Sequence, residues 1–418
     1  MEIFKKSNEP IIIQNNNFKK CILFICFPIE EADEAKIKIL RNLSFNKSAV
    51  YNTEKKMYEA KVNNYCLSYY ERVVLIGNTP FLELAIYFPS FDSLGKDVLE
   101  DNIKLIKEII YNPYIENNAF SSKEVNDIKE VIKNNINKNH NDAIWYYNYQ
   151  NIKTFDENNF LVGEIIDNPN ILDTVTGSNL YELYNKTISK SPIVFLIGNV
   201  DAESSKEKIK EILLNNNEEI IEFEKKYNNY CKEIPTVIKE VTEEQKFKSS
   251  GVFYNYKIKD LKNEKEIALL KIVKLLLSSN NSRLLFNSLR KESDLVYRCG
   301  ASSNLVFGSL TIWAITGKEN INNVKQNIEN VMIQIKNKEF IKEKLELIKE
   351  EYKLDDELIK ENVYSILMQE VDKYIECRKQ NFYDIIKDIK EEEVEEFIDN
   401  RLVLVSKYIG VGEENEWT

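Results

Sequence analysis

Arg290 and Tyr297 carry side chains able to act on a developing negative charge, although their types and placement alone favour plain structural uses. Arg290 falls near the end of a helical pattern over Ser282–Glu292, and Tyr297 lies in the strand-like run Leu295–Cys299, so both can face one site. A guanidinium offers a planar fork of donors that grips carbonyl oxygens. A phenol beside it adds a donor, and a fixed pair of this kind stabilises the oxyanion formed when a peptide carbonyl is attacked. The same residues also have plain structural uses, as a cation balancing a helix C-terminus and as an aromatic covering a sheet. A histidine-based metal centre is excluded by count: the only histidine is His140, in a polar Asn-rich stretch that reads as a solvated loop or helix end.

The remaining reactive side chains narrow the chemistry further. Cysteines at 21, 26, 66, 231, 299 and 377 form no C-x-x-C pair, which rules out a zinc knuckle and a thioredoxin-like motif. Thiols scattered through a chain this long suit a reducing compartment, so a cytoplasmic location is expected. The apolar run Cys21–Pro28 is too short to cross a bilayer and reads as a buried strand, and Met1–Lys6 lacks the apolar core of a signal peptide. No membrane association is expected. A net charge of -11 disfavours nucleic acid as a partner.

The elements that must position the pair can be read from periodicity. With 418 residues, 43% of them hydrophobic, the chain suits two domains of about 200 residues each. In the first half, Cys21–Pro28, Met57–Ser68, Phe81–Phe88 and Pro192–Gly198 read as strands. Asp33–Phe45, Val98–Ile110, Ser121–Ile136, Ser178–Ile188 and Ala202–Leu214 read as helices. Residues 215–245 turn acidic and polar, with an Asn run and Pro235, and read as a connection. The second half repeats the grammar: strand Val252–Ile258, a mostly apolar helix Glu264–Leu277, strands Leu295–Cys299 and Val306–Thr316, helices from Asn320 to Ile398, and a closing strand Leu402–Ile409. Each half is therefore α+β, with antiparallel strands and helices packed on one face.

The run Ser282-Arg283-Leu284-Leu285-Phe286-Asn287-Ser288-Leu289-Arg290, followed by Leu295-Val296-Tyr297, resembles the S-R-L-F-x-x-L-R-x-x-x-x-L-A-Y signature in the C-terminal half of the pitrilysin/insulinase (M16-type) zinc peptidases. That resemblance implies two tandem homologous domains of the LuxS/metallohydrolase-like type. These are an N-terminal domain over 1–214, a linker over 215–245 and a C-terminal domain over 246–418 that carries the Arg/Tyr motif. It also implies that Arg290 and Tyr297 bind substrate near the scissile bond. Asp294 stands where the family has Gly, and Val296 where it has Ala.

Peptide-cleaving members carry H-x-x-E-H on the first helix, where two His bind zinc and the Glu activates water. The stretch Leu43–Ser48 is similar to the segment that follows that motif and sets the register. Lys38, Arg41 and Asn42 then occupy the His, Glu and His positions, and Glu130 falls near the third ligand. The resemblance thus implies no catalytic residue and no metal in this chain, with zinc on a partner. It is that of the non-catalytic subunit of a heterodimeric M16 metallopeptidase. An H-x-x-E-H subunit is the expected partner, or a second copy forming a homodimer. The substrate would be a peptide, such as a bacteriocin or other precursor. The alternative is an M16-like scaffold with no proteolytic partner.

Overall fold

The computed structural model describes residues 2–30, 33–76, 79–155, 164–225, 237–259, 263–279, 283–304, 308–376 and 381–413. Ser282, Val306, Pro235, Cys231 and Cys377 lie outside them. The chain forms two compact units, one of Met1–Ile136, Glu164–Lys226 and Ile359–Cys377, the other of Asn137–Gly163, Tyr227–Leu358 and Arg378–Thr418. Each centres on a five-stranded sheet. Among the described residues, no helix is long and apolar enough to cross a membrane.

In the first unit β1 (Glu2–Ser7) pairs with β7 (Ile220–Lys225) as a two-stranded ribbon. The main sheet runs β2 (Ile11–Gln14), β6 (Ile193–Gly198), β3 (Lys20–Pro28), β5 (Thr79–Pro89) and β4 (Ser68–Ile76). All its pairings are antiparallel except β2 with β6. Every residue of β3 after Lys20 is buried, as the unbroken apolar run demands of a strand covered on both faces. One face meets helices Leu99–Tyr111 and Gly177–Ile188. The other, with Ile22, Phe24, Cys26, Phe81 and Phe195, packs on Val363, Leu367, Val371 and Ile375 of helix Val363–Glu376. A buried ion pair sits at this packing. Arg72 donates to Glu83 Oε2 at 2.7 Å and to the Tyr364 hydroxyl at 2.7 Å. The Glu83 side chain has no exposure, and its Oε1 has no hydrogen-bond partner. Burial raises the Glu83 carboxyl to about 7, against the pull of Arg72.

The second unit has the same order read from its other edge: β10 (Val296–Asn304), β11 (Ser309–Thr316), β9 (Ser250–Ile258), β12 (Leu402–Val411) and β8 (Lys239–Glu244). Here β8 and β12 form the one parallel pair. Helix Glu264–Ser278 and its neighbours fill one face with Leu269, Leu270, Val273 and Leu277. The other face takes helix Ala143–Phe155, which brings Tyr147 against Phe253, Ile315 and Tyr408. Gly251 and Gly410 lie under the Tyr147 ring, where a Cβ on Gly410 would come within 2.1 Å of it. Asn151 and Asn255 exchange amide hydrogen bonds of 3.1 and 2.7 Å in this buried layer, and Ser406 and Thr311 complete the network.

The α+β class and the helices on one face of each sheet agree with the sequence reading. The opposite face is covered as well, in each unit by a helix that the other half of the chain supplies. Three local readings change. Residues read as a strand from Met57 instead form helix Glu54–Asn63, capped by Thr53 and burying Met57 and Ala60 at helical spacing, and β4 begins only at Ser68. The stretch read as a connection contributes β7 and β8, both recruited by backbone pairing to strands far away in sequence. The sheets are mixed, because β2 and β8 join them in parallel.

Candidate functional site

The segment carrying Arg290 is not the plain helix that periodicity suggests. Arg283 adopts left-handed backbone (φ 45°), and a single α turn, Leu284–Phe286, widens into a π turn, Asn287–Lys291. The Glu292 N–H accordingly reaches back five residues to the Asn287 carbonyl at 2.9 Å. Such a widening accommodates one residue more than an α ladder and is often found at functional sites. Leu285 and Leu289 are buried and anchor the turn, while Phe286 and Arg290 stay exposed.

The turn ends through Asp294, also left-handed (φ 48°), with its N–H on the Arg290 carbonyl at 3.0 Å and the Leu295 N–H on the Leu289 carbonyl at 2.9 Å. Glycine meets this backbone demand most easily, and aspartate is among the residues that tolerate it. Asp294, where the resemblance leads one to expect Gly, thus adopts the left-handed backbone that this turn requires. Thr316 Oγ1 then donates to the Leu295 carbonyl, fixing the loop to β11.

Tyr297 enters β10 at a bulge. Val296 pairs with Thr316 and Arg298 with Ile315, so Tyr297 is the extra residue between them. Its ring is about half exposed, at 52%. A bulge frees a backbone carbonyl from the ladder and re-aims side chains. That carbonyl accepts from Arg290 Nη1, so the π turn and the bulge bring the two residues together. Nearby, burial raises the Cys299 thiol to about 11, with the Arg290 charge opposing.

The first-half positions look different. Helix Glu34–Leu43 is capped by the Asp33 side chain and buries Ala35, Ile37, Ile39, Leu40 and Leu43. Lys38 pairs with Glu34 one turn earlier at 2.5 Å, the Asn42 amide donates to the Lys38 carbonyl at 2.9 Å, and Arg41 is exposed. Glu130 is exposed on helix Ser122–Asn139. No group of three metal-competent His, Cys, Asp or Glu side chains occurs among the described residues. His140 directly follows helix Ser122–Asn139, as the helix-end reading has it, but it is half-buried among the rings of Trp145, Tyr146 and Tyr149, with Nε2 buried and lacking a hydrogen-bond partner among the described residues. The aromatics that follow it at helical spacing form this surround.

Residues 174–352 match the family profile described as the peptidase M16 inactive domain. That stretch, a little under half of the chain, is thus similar to the inactive M16 domain. It is 25% identical over 205 residues to a probable inactive metalloprotease, YmfF, of Bacillus subtilis (strain 168). That match covers 48% of this chain and 46% of the relative, so the chain spans about half the length of the curated relative. Solved structures align along nearly its whole length. A conserved protein from Enterococcus faecalis V583 superposes with a TM-score of 0.82 at 20% identity, covering 97% of this chain and 96% of that one. A peptidase M16 inactive domain from Pseudomonas fluorescens gives 0.74 at 11% identity, covering 99% of both. A protease from Helicobacter pylori gives 0.73 at 13% identity, covering 97% and 96%. At these identities the likeness is one of fold.

The sequence reading singled out Arg290 and Tyr297 and noted Asp294, but did not foresee the π turn, the bulge or the tether from Thr316 that bring the two together. One signal was available: the spacing between Val296 and the alternating residues after Arg298 slips by one, as a bulge requires.

Proposed function

We propose that this chain is the non-catalytic, substrate-holding subunit of a two-component M16 zinc metallopeptidase that processes peptides. The carrying observation is an exposed arginine and tyrosine held together by an unusual turn and a bulge, in a chain whose first helix bears Lys38, Arg41 and Asn42 where zinc chemistry would need His, Glu and His. Irregular backbone of both kinds, retained at one exposed spot, suits a binding role better than a packing role. The partner is an H-x-x-E-H subunit, which supplies the zinc. Across the enclosed chamber Arg290 and Tyr297 steady the substrate carbonyl as charge develops on it. The substrate is an extended peptide or small unfolded protein, such as a peptide precursor. Cys21, Cys26, Cys66 and Cys299 carry free thiols, which supports a cytoplasmic setting.

The test is co-expression with a similar-sized H-x-x-E-H chain encoded nearby, followed by purification and a peptide-cleavage assay. A stable complex that cleaves, and that neither chain reproduces alone, is the expected result. A chain that purifies without such a partner, or a pair that cleaves no peptide, would favour an M16-like scaffold.

A further inference from the structure

Arg298 is exposed and forms no ion pair or hydrogen bond with the described residues. Its neighbours in the sheet are informative. The bulge at Tyr297 resets the alternation of β10, after which Cys299 and Ala301 turn to the apolar core. Arg298, Gly300 and Ser302 therefore share the opposite face. Opposite them on β11 stand Ile315, Trp313 and Thr311 in register. Helix Ala143–Phe155 packs on β8, β9 and β12 of this face, and Arg298 and Ser302 of β10 are exposed.

On that face the Trp313 indole lies across the backbone of Gly300. A Cβ on Gly300 would meet Trp313 Cζ2 at 3.0 Å and Nε1 at 3.4 Å, so glycine is what lets the ring lie there. The indole N–H donates to nothing among the described residues. Arg298 and Trp313 are diagonal cross-strand neighbours, a separation of about 7–8 Å that long side chains bridge. One unpaired guanidinium and one unused N–H thus belong to diagonal neighbours on the same face, next in sequence to Tyr297.

We infer that Arg298 and Trp313 form a carboxylate subsite that selects peptides by an acidic side chain, or by the C-terminal carboxylate, next to the segment held by Arg290 and Tyr297. This inference rests on the peptide-holding role proposed above. A guanidinium binds a carboxylate through two parallel hydrogen bonds, and the indole N–H can take a third position on the same group. The net charge of -11 disfavours polyanions at long range, so the attraction is local and suits a single carboxylate.

The experiment titrates the full-length chain with fluorescein-labelled ten-residue peptides, read by anisotropy. Paired peptides differ by Glu or Gln at one position, and each is made as free acid and as C-terminal amide. Loss of one charge-assisted contact should weaken binding by about tenfold. A preference for Glu over Gln assigns the side chain, and a preference for acid over amide assigns the terminus. Either preference should vanish in Arg298→Ala and shrink in Arg298→Lys. In Gly300→Ala, which displaces the indole, it should fall while peptide binding persists. Equal binding of all four peptides, or a preference that survives Arg298→Ala, overturns the subsite and leaves the holding role standing. No binding by any peptide overturns both.

Discussion

Arg290 donates to the backbone carbonyl of Tyr297, not to its phenol. The contact ties the end of the π turn to the bulge and leaves the Tyr297 hydroxyl free for a substrate. Tyr297→Phe should therefore preserve the loop, whereas Arg290→Ala removes the tie together with the donor proposed to hold substrate.

In the reconstituted complex, each substitution should slow cleavage by the partner by roughly 10²–10³, about 2.7–4 kcal/mol of transition-state stabilisation. Folding and pairing should persist, because both side chains are exposed. The double variant should lose less than the sum of the singles if both groups act on one oxygen. Wild-type turnover in both singles would remove these residues from the mechanism.

Metal content gives a second check. On the register proposed above, Lys38, which pairs with Glu34, and Asn42 stand at the two ligand positions, and the exposed Arg41 at that of the base. The purified chain should carry well under one zinc per molecule by elemental analysis. Addition of a chelator should leave its melting temperature unchanged. Stoichiometric zinc would contradict this assignment.

Much of this was legible because apolar runs and helical stripes are local signals. The strands built on Cys21–Pro28 and Ile193–Gly198, and the apolar helix starting at Glu264, are plain from composition. What stayed hidden depends on distant partners. The helix Ala143–Phe155 mixes Tyr, Trp and Asn, and its purpose is evident only once Tyr147 and Asn151 meet a sheet made from residues beyond 250. The acidic β8 has no apolar signature, since it is held at the sheet edge by its backbone. At the site, residue types identified Arg290 and Tyr297. Their contact runs through a carbonyl freed by a bulge, which side-chain identity does not encode.

Stability should depend on pH through Glu83. Its carboxyl rises from 4.5 when unfolded to about 7 when folded, because burial outweighs the attraction of Arg72. The folded state then holds a proton that the unfolded state releases. The resulting stabilisation is complete below about pH 4.5 and is lost as pH rises through 7, on the order of 3 kcal/mol. Urea midpoints should fall between pH 5.5 and pH 8 in the wild type. In Glu83→Gln, where Arg72 keeps Tyr364, the fall should be smaller. Identical pH profiles would show that Glu83 does not control this dependence.

The Tyr147 contact offers a packing test. Gly410→Ala places a methyl group inside the Tyr147 ring, an overpacking that costs about 1–3 kcal/mol or more. The melting temperature should drop, and adding Tyr147→Leu should recover part of the loss, so the two changes are not additive. Strict additivity would place the damage elsewhere.

The reciprocal exchange of helices imposes an order on biosynthesis. The first sheet has its last main strand once Gly198 is made, and the β1–β7 ribbon brings Phe223 onto Phe81, yet the part of this face around Phe24 and Phe195 lacks its helix until Val363–Glu376 emerges from the ribosome. At ~5–20 residues per second that wait lasts on the order of ten to thirty seconds. During it the nascent chain presents a flat aromatic surface to every other nascent chain nearby. A holding chaperone would act most usefully in that interval. For the same reason, a gene cut between the two halves should yield aggregates unless both pieces are made together.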